Sequence, residues 1–305
     1  MRILVTGKKG QVATALKVIG AETGVEILTF GRPEGDLANP QSLEAPIVAI
    51  EPDVIISSAA YTAVDKAESE AELAEAVNVK GPGELARIAN QLDIPILHLS
   101  TDYVFDGEKS DPYVETDKTN PVGIYGKTKL EGELAIAKAT PNHVILRTAW
   151  VYSPYGNNFV KTMLRLGETR ESLDVVVDQR GCPTSALEIA RGLVEVAKTV
   201  TRSDDLTLRG IFNLTGQGEA TWAEFATVIF DEAHRRGRKL VHVNSISSTE
   251  YPTPAKRPKN SRLSGEKLFK TYSVRLAPWQ TSLEECLDAL IAQPDKKRFI
   301  KGKQL

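Results

Sequence analysis

Tyr125 and Lys129 stand four residues apart in the run Tyr125-Gly-Lys-Thr-Lys129. On a helix that spacing sets a phenol and an ammonium on one face, about one turn from each other. A phenol titrates near pH ~10 in water, so at neutral pH it is a slow acid or base unless a fixed cation favours its phenolate. Lys129 is placed to be that cation. Upstream, Ser100-Thr101-Asp102 closes the apolar run Pro95-Ile-Leu-His-Leu99, and the carboxyl ends of strands are where open α/β sheets hold their ligands. The stretch Leu99–Lys129 thus offers a hydroxyl, a carboxylate, a phenol and an amine, which together suit acid–base chemistry. Alone, a Tyr-x-x-x-Lys pair arises often by chance, as the start of an ordinary amphipathic helix.

The elements that must position these groups lie around them. Arg2–Thr6 is an apolar strand running into Gly7-Lys-Lys-Gly10-Gln-Val-Ala13, with Val12, Leu16 and Ile19 at helical spacing. Strand, glycine loop, helix is the order a dinucleotide site needs, because backbone N–H groups and the helix N-terminus meet the pyrophosphate there. The spacing is Gly-x-x-Gly-x-x-Ala rather than Gly-x-Gly-x-x-Gly, which a plain βα turn also explains. After a second strand, Val25–Phe30, comes Gly31-Arg-Pro-Glu-Gly-Asp-Leu37, with Arg32 near the place where an acid would grip an adenosine 2′-hydroxyl. A cation there suits a 2′-phosphate and therefore NADPH, with NADH as the second option; a solvated loop arginine is the alternative.

A helix over Pro40–Ile50 precedes a third strand, Asp53–Ser57, that runs into Ala59-Ala-Tyr-Thr62, where small residues either admit a flat ring or simply pack. Glu68–Leu92 is Ala- and Glu-rich and helical, and Pro82 is expected to kink or split it by removing a backbone donor. Pro95–Leu99 and His143–Arg147 complete five strands alternating with helices. The pattern predicts an α/β fold: a Rossmann-type, doubly wound parallel sheet over residues 1–150. A smaller C-terminal α/β substrate-binding lobe is expected over 151–305, with the chain crossing back to the first domain.

Beyond Trp150, Gly156-Asn-Asn-Phe159 leads to a helix through Thr169, a strand Asp174–Val177 and a loop Asp178–Thr184. Ser185 with Glu188, Thr221 with Glu224 and Ser282 with Glu285 each match a capping box and predict helix starts. Gly210–Thr215 reads as a short strand. Pro252, Pro254, Pro258 and Asn260, interleaved with Arg257 and Arg262, form an irregular basic loop that either clamps a phosphate or is solvated. The basic tail Lys296–Lys303 reads as a frayed, solvated end.

Composition narrows the partners. Lys+Arg 38 against Asp+Glu 40 gives a net charge of -2, which excludes a nucleic-acid surface and fits a small molecule. The two cysteines, Cys182 and Cys286, form no paired-thiol motif, pointing to a reducing compartment and to neither a disulfide framework nor a metal site. Met1 opens directly on a strand and no apolar run approaches a membrane span, so a cytoplasmic protein is expected.

The Thr6-Gly-x-x-Gly10 loop, Ser100-Thr-Asp102 and Tyr125-x-x-x-Lys129 together resemble the extended short-chain dehydrogenase/reductase superfamily. Within it, Ala60-Tyr-Thr-Ala-Val-Asp-Lys-Ala-Glu68, Ser100-Thr-Asp-Tyr-Val-Phe105, Arg147-Thr-Ala-Trp-Val-Tyr152, Asn157-Asn-Phe159 and Arg257-Pro-Lys-Asn-Ser-Arg-Leu263 resemble the dTDP-4-dehydrorhamnose reductases, from Met1 to about Ile291. Sugar-nucleotide dehydratases of the same superfamily follow the Thr with Asp-Glu. Here Tyr103 follows Thr101-Asp102, so water elimination loses its base and carbonyl reduction is favoured.

The resemblance implies a cofactor whose pyrophosphate lies near Gly7, Gly10, Gln11 and Val12, its adenosine near Arg32, Asp36 and Leu37, and its nicotinamide half near Ala60, Tyr61, Thr62 and Leu99. It implies that Lys129 holds the nicotinamide ribose and lowers the pKa of Tyr125, that Thr101 polarises the 4-keto oxygen of dTDP-4-dehydro-β-L-rhamnose, and that Tyr125 donates the proton. Asp102 and Trp150 would surround the sugar, and residues 157–159 and 257–262 would meet the nucleotide. Ala13 replaces the family's third glycine. Ala15 stands where better-known members carry a Glu used in a magnesium-linked dimer, so a monomer, or a homodimer not linked by metal, is expected. Two other functions fit the same motifs: a reductase of another nucleotide-linked keto sugar, and a non-catalytic cofactor-binding subunit like the β subunit of methionine adenosyltransferase. Retention of Thr101, Tyr125 and Lys129 together argues for turnover.

Overall fold

A computed structural model describes residues 1–291; the basic tail Lys296–Lys303 lies outside the described residues. Strands β1 (Arg2–Thr6), β2 (Glu26–Phe30), β3 (Val54–Ser57), β4 (Ile96–Thr101) and β5 (His143–Thr148) join a sixth, Gly210–Asn213, in one parallel sheet. Their order is sixth strand, β5, β4, β3, β1, β2. Chain order reverses between β1 and β3, and that switch point opens a crevice at the carboxyl ends of the strands.

Parallel strands are covered on both faces, which is why they read as unbroken apolar runs. Ile3, Val5, Val54, Ile56, Leu97, Leu99, Val144 and Leu146 fill one layer with Leu16, Ile19, Leu193 and Val194 from helices Gln11–Thr23 and Ala186–Val200. Leu4, Ile55 and Ile96 point the other way, against Leu85, Ile88 and Ile136. By the same alternation, Ser57, His98, Ser100 and Arg147 share the second face, on the side of helix Ile124–Ala139. The sheet takes its sixth strand, and one of its covering helices, from beyond residue 150. A separate core of Tyr152, Val160, Phe225, Ile229, Trp279 and Leu283 gathers helices Phe159–Gly167, Trp222–Arg235 and Trp279–Leu290 beside the strand pair Ser172–Val176 and His242–Ile246. Among the described residues no helix is long and apolar enough to cross a membrane.

Several local expectations are corrected. The segment Pro40–Ile50 opens as a 3-10 turn, Pro40–Ser42, and becomes α-helical only from Glu44. β4 runs to Thr101 rather than Leu99, because Ser100 and Thr101 pair with Arg147 and Thr148. Pro82, by contrast, splits its run as expected: Ala71–Glu75 gives way to a π-helical stretch, Ala76–Lys80, and the α-helical pattern restarts over Gly81–Gln91 with proline in its first turn, where a missing donor is best tolerated. Gly132 lets helix Ile124–Ala139 approach the π stretch, since a Cβ there would lie 2.1 Å from the Asn78 carbonyl oxygen.

Of the three capping boxes, Thr221–Glu224 closes in both directions. Ser185 caps its helix, but Glu188 turns to Arg191 and the Ala277 amide instead. Ser282 starts no helix; that helix begins at Trp279 after Pro278, and Glu285 pairs with Arg191. A further box, Ser247–Glu250, went unread in the sequence because it caps only a 3-10 turn.

Candidate active site

The crevice begins at the glycine loop. Gly7 holds φ at +97°, a conformation side chains other than glycine avoid, and its amide donates to the Phe30 carbonyl at 2.7 Å. Gly10 is the N-cap of helix Gln11–Thr23 and offers no side-chain cap; the first turn holds no acidic residue, and a Cβ on Gly10 would meet nothing within 4 Å. The helix therefore presents unpaired amides and the positive end of its dipole to open space, as an anion requires. Gln11 contributes only its backbone to that end. Its side-chain oxygen accepts from Ser153 Oγ at 2.8 Å and Asn158 Nδ2 at 3.0 Å, tying the loop to the 153–158 segment. Val12 packs against the core, and Ala13 and Ala15 are buried within it.

At the end of β2, Arg32 is exposed while Glu34 holds Lys8 in an ion pair. Asp36 is engaged in its own turn, accepting from the Ala38 amide at 3.0 Å, and Leu37 is buried. Across the switch point, the Ser58 and Ala59 amides both donate to Thr6 Oγ1 at 3.0 Å. The next residues are pinned by Asn78, whose oxygen accepts from the Tyr61 amide at 2.8 Å and whose nitrogen donates to the Tyr61 carbonyl at 3.2 Å and to Thr128 Oγ1 at 3.1 Å. One buried amide thereby couples Ala60–Thr62 to the Tyr125 helix. Tyr61 itself donates to Glu70 at 2.6 Å, a bond that lifts its pKa to about 12.

Thr101, the last residue of β4, donates through Oγ1 to Asp102 Oδ1 at 2.9 Å and accepts from the Tyr103 amide at 3.2 Å. Asp102 is only 2% exposed and its Oδ2 has no partner among the described residues. Burial pushes its pKa up to about 6, against the opposing pull of the hydrogen bond from Thr101. Since Thr101 has one proton and gives it to Asp102, it can donate to a ligand only when that bond is released.

Tyr125 is partly exposed beside Thr101, edge-on to the Tyr103 ring at 5.5 Å and 74°. Burial raises its pKa to about 12, with the Thr101 hydroxyl lowering it and the Asp102 charge raising it. Lys129, expected to lower it, points elsewhere: Nζ donates to the Leu99 carbonyl at 2.7 Å and lies 3.1 Å from His98 Nε2. Burial brings the Lys129 pKa down to about 8, with the Glu133 carboxylate holding it up.

Behind the site, Glu133 and Arg147 form a buried ion pair, with Arg147 Nε 2.9 Å from Oε1 and Nη2 2.6 Å from Oε2. Ser100 donates to the same carboxylate, and Arg147 lies 5.1 Å above the Phe105 ring. Spacing along the chain gives no role to the side chains of His98, Asn78, Glu133 and Arg147. The available signal was the presence of polar residues inside apolar strands and an alanine-rich helix.

Trp150 stacks on Trp222 with centroids 3.5 Å apart and planes within 5°, and a Cβ on Gly181 would lie 2.3 Å from its indole. The two arginines of the basic loop are not free cations: Arg257 forks onto Asp65 at 2.8 and 3.1 Å, and Arg262 pairs with Glu219 at 2.6 Å. Asn158 caps helix Phe159–Gly167 through the Lys161 amide.

Asp102→Asn is expected to stabilise the protein at pH 7 by up to about 3 kcal/mol, the equivalent of raising its pKa from 3.8 to about 6. The sign follows from proton binding. The folded carboxyl binds a proton more tightly than the unfolded one, so its contribution is full below the ordinary carboxyl range and is lost as pH climbs through about 6. Urea denaturation at pH 4 and pH 7 should show the variant's advantage only at pH 7; equal shifts at both would remove the buried charge from the account.

The family model described as RmlD substrate binding domain matches residues 1–292. A dTDP-4-dehydrorhamnose reductase of Sinorhizobium fredii is 52% identical over 293 residues, covering 96% of this chain and 99% of that one. Among solved structures, a dTDP-4-dehydrorhamnose reductase of Clostridium acetobutylicum superposes with a TM-score of 0.88 at 39% identity, covering 95% of this chain and 99% of the other. One from Bacillus anthracis, in complex with NADP, gives a TM-score of 0.87 at 33% identity, covering 94% and 98%.

Proposed function

This chain belongs to the family of the dTDP-4-dehydrorhamnose reductases, and on that premise we propose that it reduces the 4-keto group of dTDP-4-dehydro-β-L-rhamnose with NADPH, giving dTDP-L-rhamnose. The observation that carries the reading is that Thr101 ends β4 while Tyr125 and Lys129 lie one turn apart on helix Ile124–Ala139, which Lys129 ties to the end of β4 through the Leu99 carbonyl at 2.7 Å. The cofactor fits the residues present. The uncapped amides at Gly10, Gln11 and Val12 suit a pyrophosphate, Arg32 suits a 2′-phosphate, and Ala60–Thr62, which follow β3 at the switch point, suit the nicotinamide half. When bound, NADPH supplies the hydride.

The chain's own residues do the rest. Tyr125 is a protonated phenol across the neutral range, since its pKa is raised to about 12, and it is the donor for the oxygen left by carbonyl reduction. Thr101, when released from Asp102, polarises the carbonyl without any change of charge. Lys129 anchors to β4 and keeps a remaining N–H for a ribose hydroxyl. Tyr103 sets an aromatic edge beside Tyr125 where a dehydratase would need a second carboxylate.

The test is loss of reduced-nicotinamide absorbance with the 4-keto sugar nucleotide supplied, with the product identified by sugar NMR. Folded protein that binds NADPH and never oxidises it would place the chain with cofactor-binding regulatory subunits. A faster rate with another nucleotide-linked keto sugar would reassign the substrate.

Arg32→Asp is expected to shift the ratio of kcat/KM for NADPH over NADH by roughly tenfold or more towards NADH, because an acid repels the 2′-phosphate and accepts from a 2′-hydroxyl. Steady-state kinetics with both cofactors measures it. An unchanged ratio would make Arg32 a solvated loop residue.

A further inference from the structure

His98 is fully buried in the middle of β4. Its Nδ1 lies 3.0 Å from Ser57 Oγ, its register partner on β3, and its Nε2 lies 3.1 Å from Lys129 Nζ. An ammonium has hydrogens to give and no lone pair to receive one, so Nε2 must be the accepting nitrogen. Nδ1 then carries the proton and donates it to Ser57. Two of the three Lys129 N–H bonds are thereby fixed, one on His98 and one on the Leu99 carbonyl at 2.7 Å. Glu133, one turn along the same helix, cannot replace His98 as the acceptor because it is committed to Arg147 and Ser100.

We propose that His98 is a positioning residue: locked by Ser57 as the neutral Nδ1–H tautomer, it orients the Lys129 ammonium so that its remaining N–H is presented to a ligand at the carboxyl edge of the sheet. Burial and the Lys129 charge both push the imidazole pKa well below its ordinary value, which keeps the ring neutral and its Nε2 lone pair available. An apolar side chain at this position would leave a buried ammonium hydrogen unsatisfied. The catalytic consequence rests on the reductase reading above; the tautomer does not.

Two measurements test it. Long-range nitrogen–proton NMR of the full chain at pH 7, with the signal assigned among the four histidines by its loss in His98→Gln, should show His98 protonated at Nδ1 and bare at Nε2. A neutral Nε2–H ring or an imidazolium would overturn the proposal, and this arm is read on the wild type without cofactor or substrate.

The second compares His98→Leu, which removes the acceptor, with His98→Gln, whose amide oxygen can take its place. His98→Leu should weaken NADPH binding, followed by nicotinamide fluorescence, and lower kcat by roughly tenfold each, with His98→Gln recovering most of both losses. Folded Leu and Gln variants that are equally impaired, or equally active, would reduce His98 to a packing residue. If the Leu variant does not fold, Gln activity near wild type together with the Nδ1–H tautomer supports the proposal, and Gln activity as low as that of Lys129→Met overturns it. A wild type that shows the tautomer but no turnover would overturn the reductase reading and leave the placement of Lys129 standing.

Discussion

Tyr125→Phe is expected to lower kcat by ~10²–10⁴-fold, the range for losing a positioned general acid, while leaving NADPH affinity nearly unchanged. The substitution removes one hydroxyl and keeps the ring, so the edge-on contact with Tyr103 at 5.5 Å survives. The hydroxyl's neighbour, Thr101, already has partners in Asp102 and the Tyr103 amide, so its loss leaves little unsatisfied. The effect should therefore fall on the chemical step and not on folding. Single-turnover NADPH oxidation with saturating keto sugar, beside a fluorescence titration of NADPH, separates the two. Turnover within a few-fold of wild type would mean that another group protonates the oxygen.

The pH profile adds a second check on the same residue. With the phenol raised to about 12 and Lys129 brought down to about 8, the alkaline limb of kcat/KM for wild type should track the lysine, because that ratio reports groups of the free enzyme. Residual activity of Tyr125→Phe should keep a limb in that place, since the amine that governs it is untouched.

Most of the fold, and the groups at the reacting end of the site, were legible because their signals are local. β1 to β5 announce themselves as apolar runs between glycines and helices, and the Tyr125–Lys129 spacing is a property of one helix turn. What was hidden depends on partners distant in sequence. Gly210–Asn213 reads as a strand, but nothing near it says that it lies beside β5. Arg257 and Arg262 look like free cations until the fold delivers Asp65 and Glu219. Asn78 sits in an alanine-rich helix, and its partners, Tyr61 and Thr128, are 17 and 50 residues away. Ser282 and Glu285 match a cap locally, yet Pro278 starts the helix earlier. The direction of Lys129 was misjudged for the same reason: its acceptors on β4 are 30 and 31 residues back, and spacing along one helix shows only Tyr125.

Arg147→Met is expected to destabilise the protein by about 3–5 kcal/mol, the cost of stranding one member of a buried ion pair. Both side chains are 2% exposed, so water cannot replace the lost partner. Glu133 would keep only the Ser100 hydroxyl, and one turn back on its own helix lies the Lys129 ammonium. Drawing Lys129 toward Glu133 would pull its ammonium off the Leu99 carbonyl and His98, so NADPH binding and kcat should fall even where the variant remains folded. The double change Glu133→Gln with Arg147→Met removes the stranded charge along with its partner, and it should recover a large part of the stability and of the cofactor affinity. Urea midpoints and NADPH titrations on wild type, both single variants and the double variant form the cycle. A double variant no more stable than Arg147→Met would mean that the guanidinium acts through its packing on Phe105 at 5.1 Å and not through the charge it neutralises.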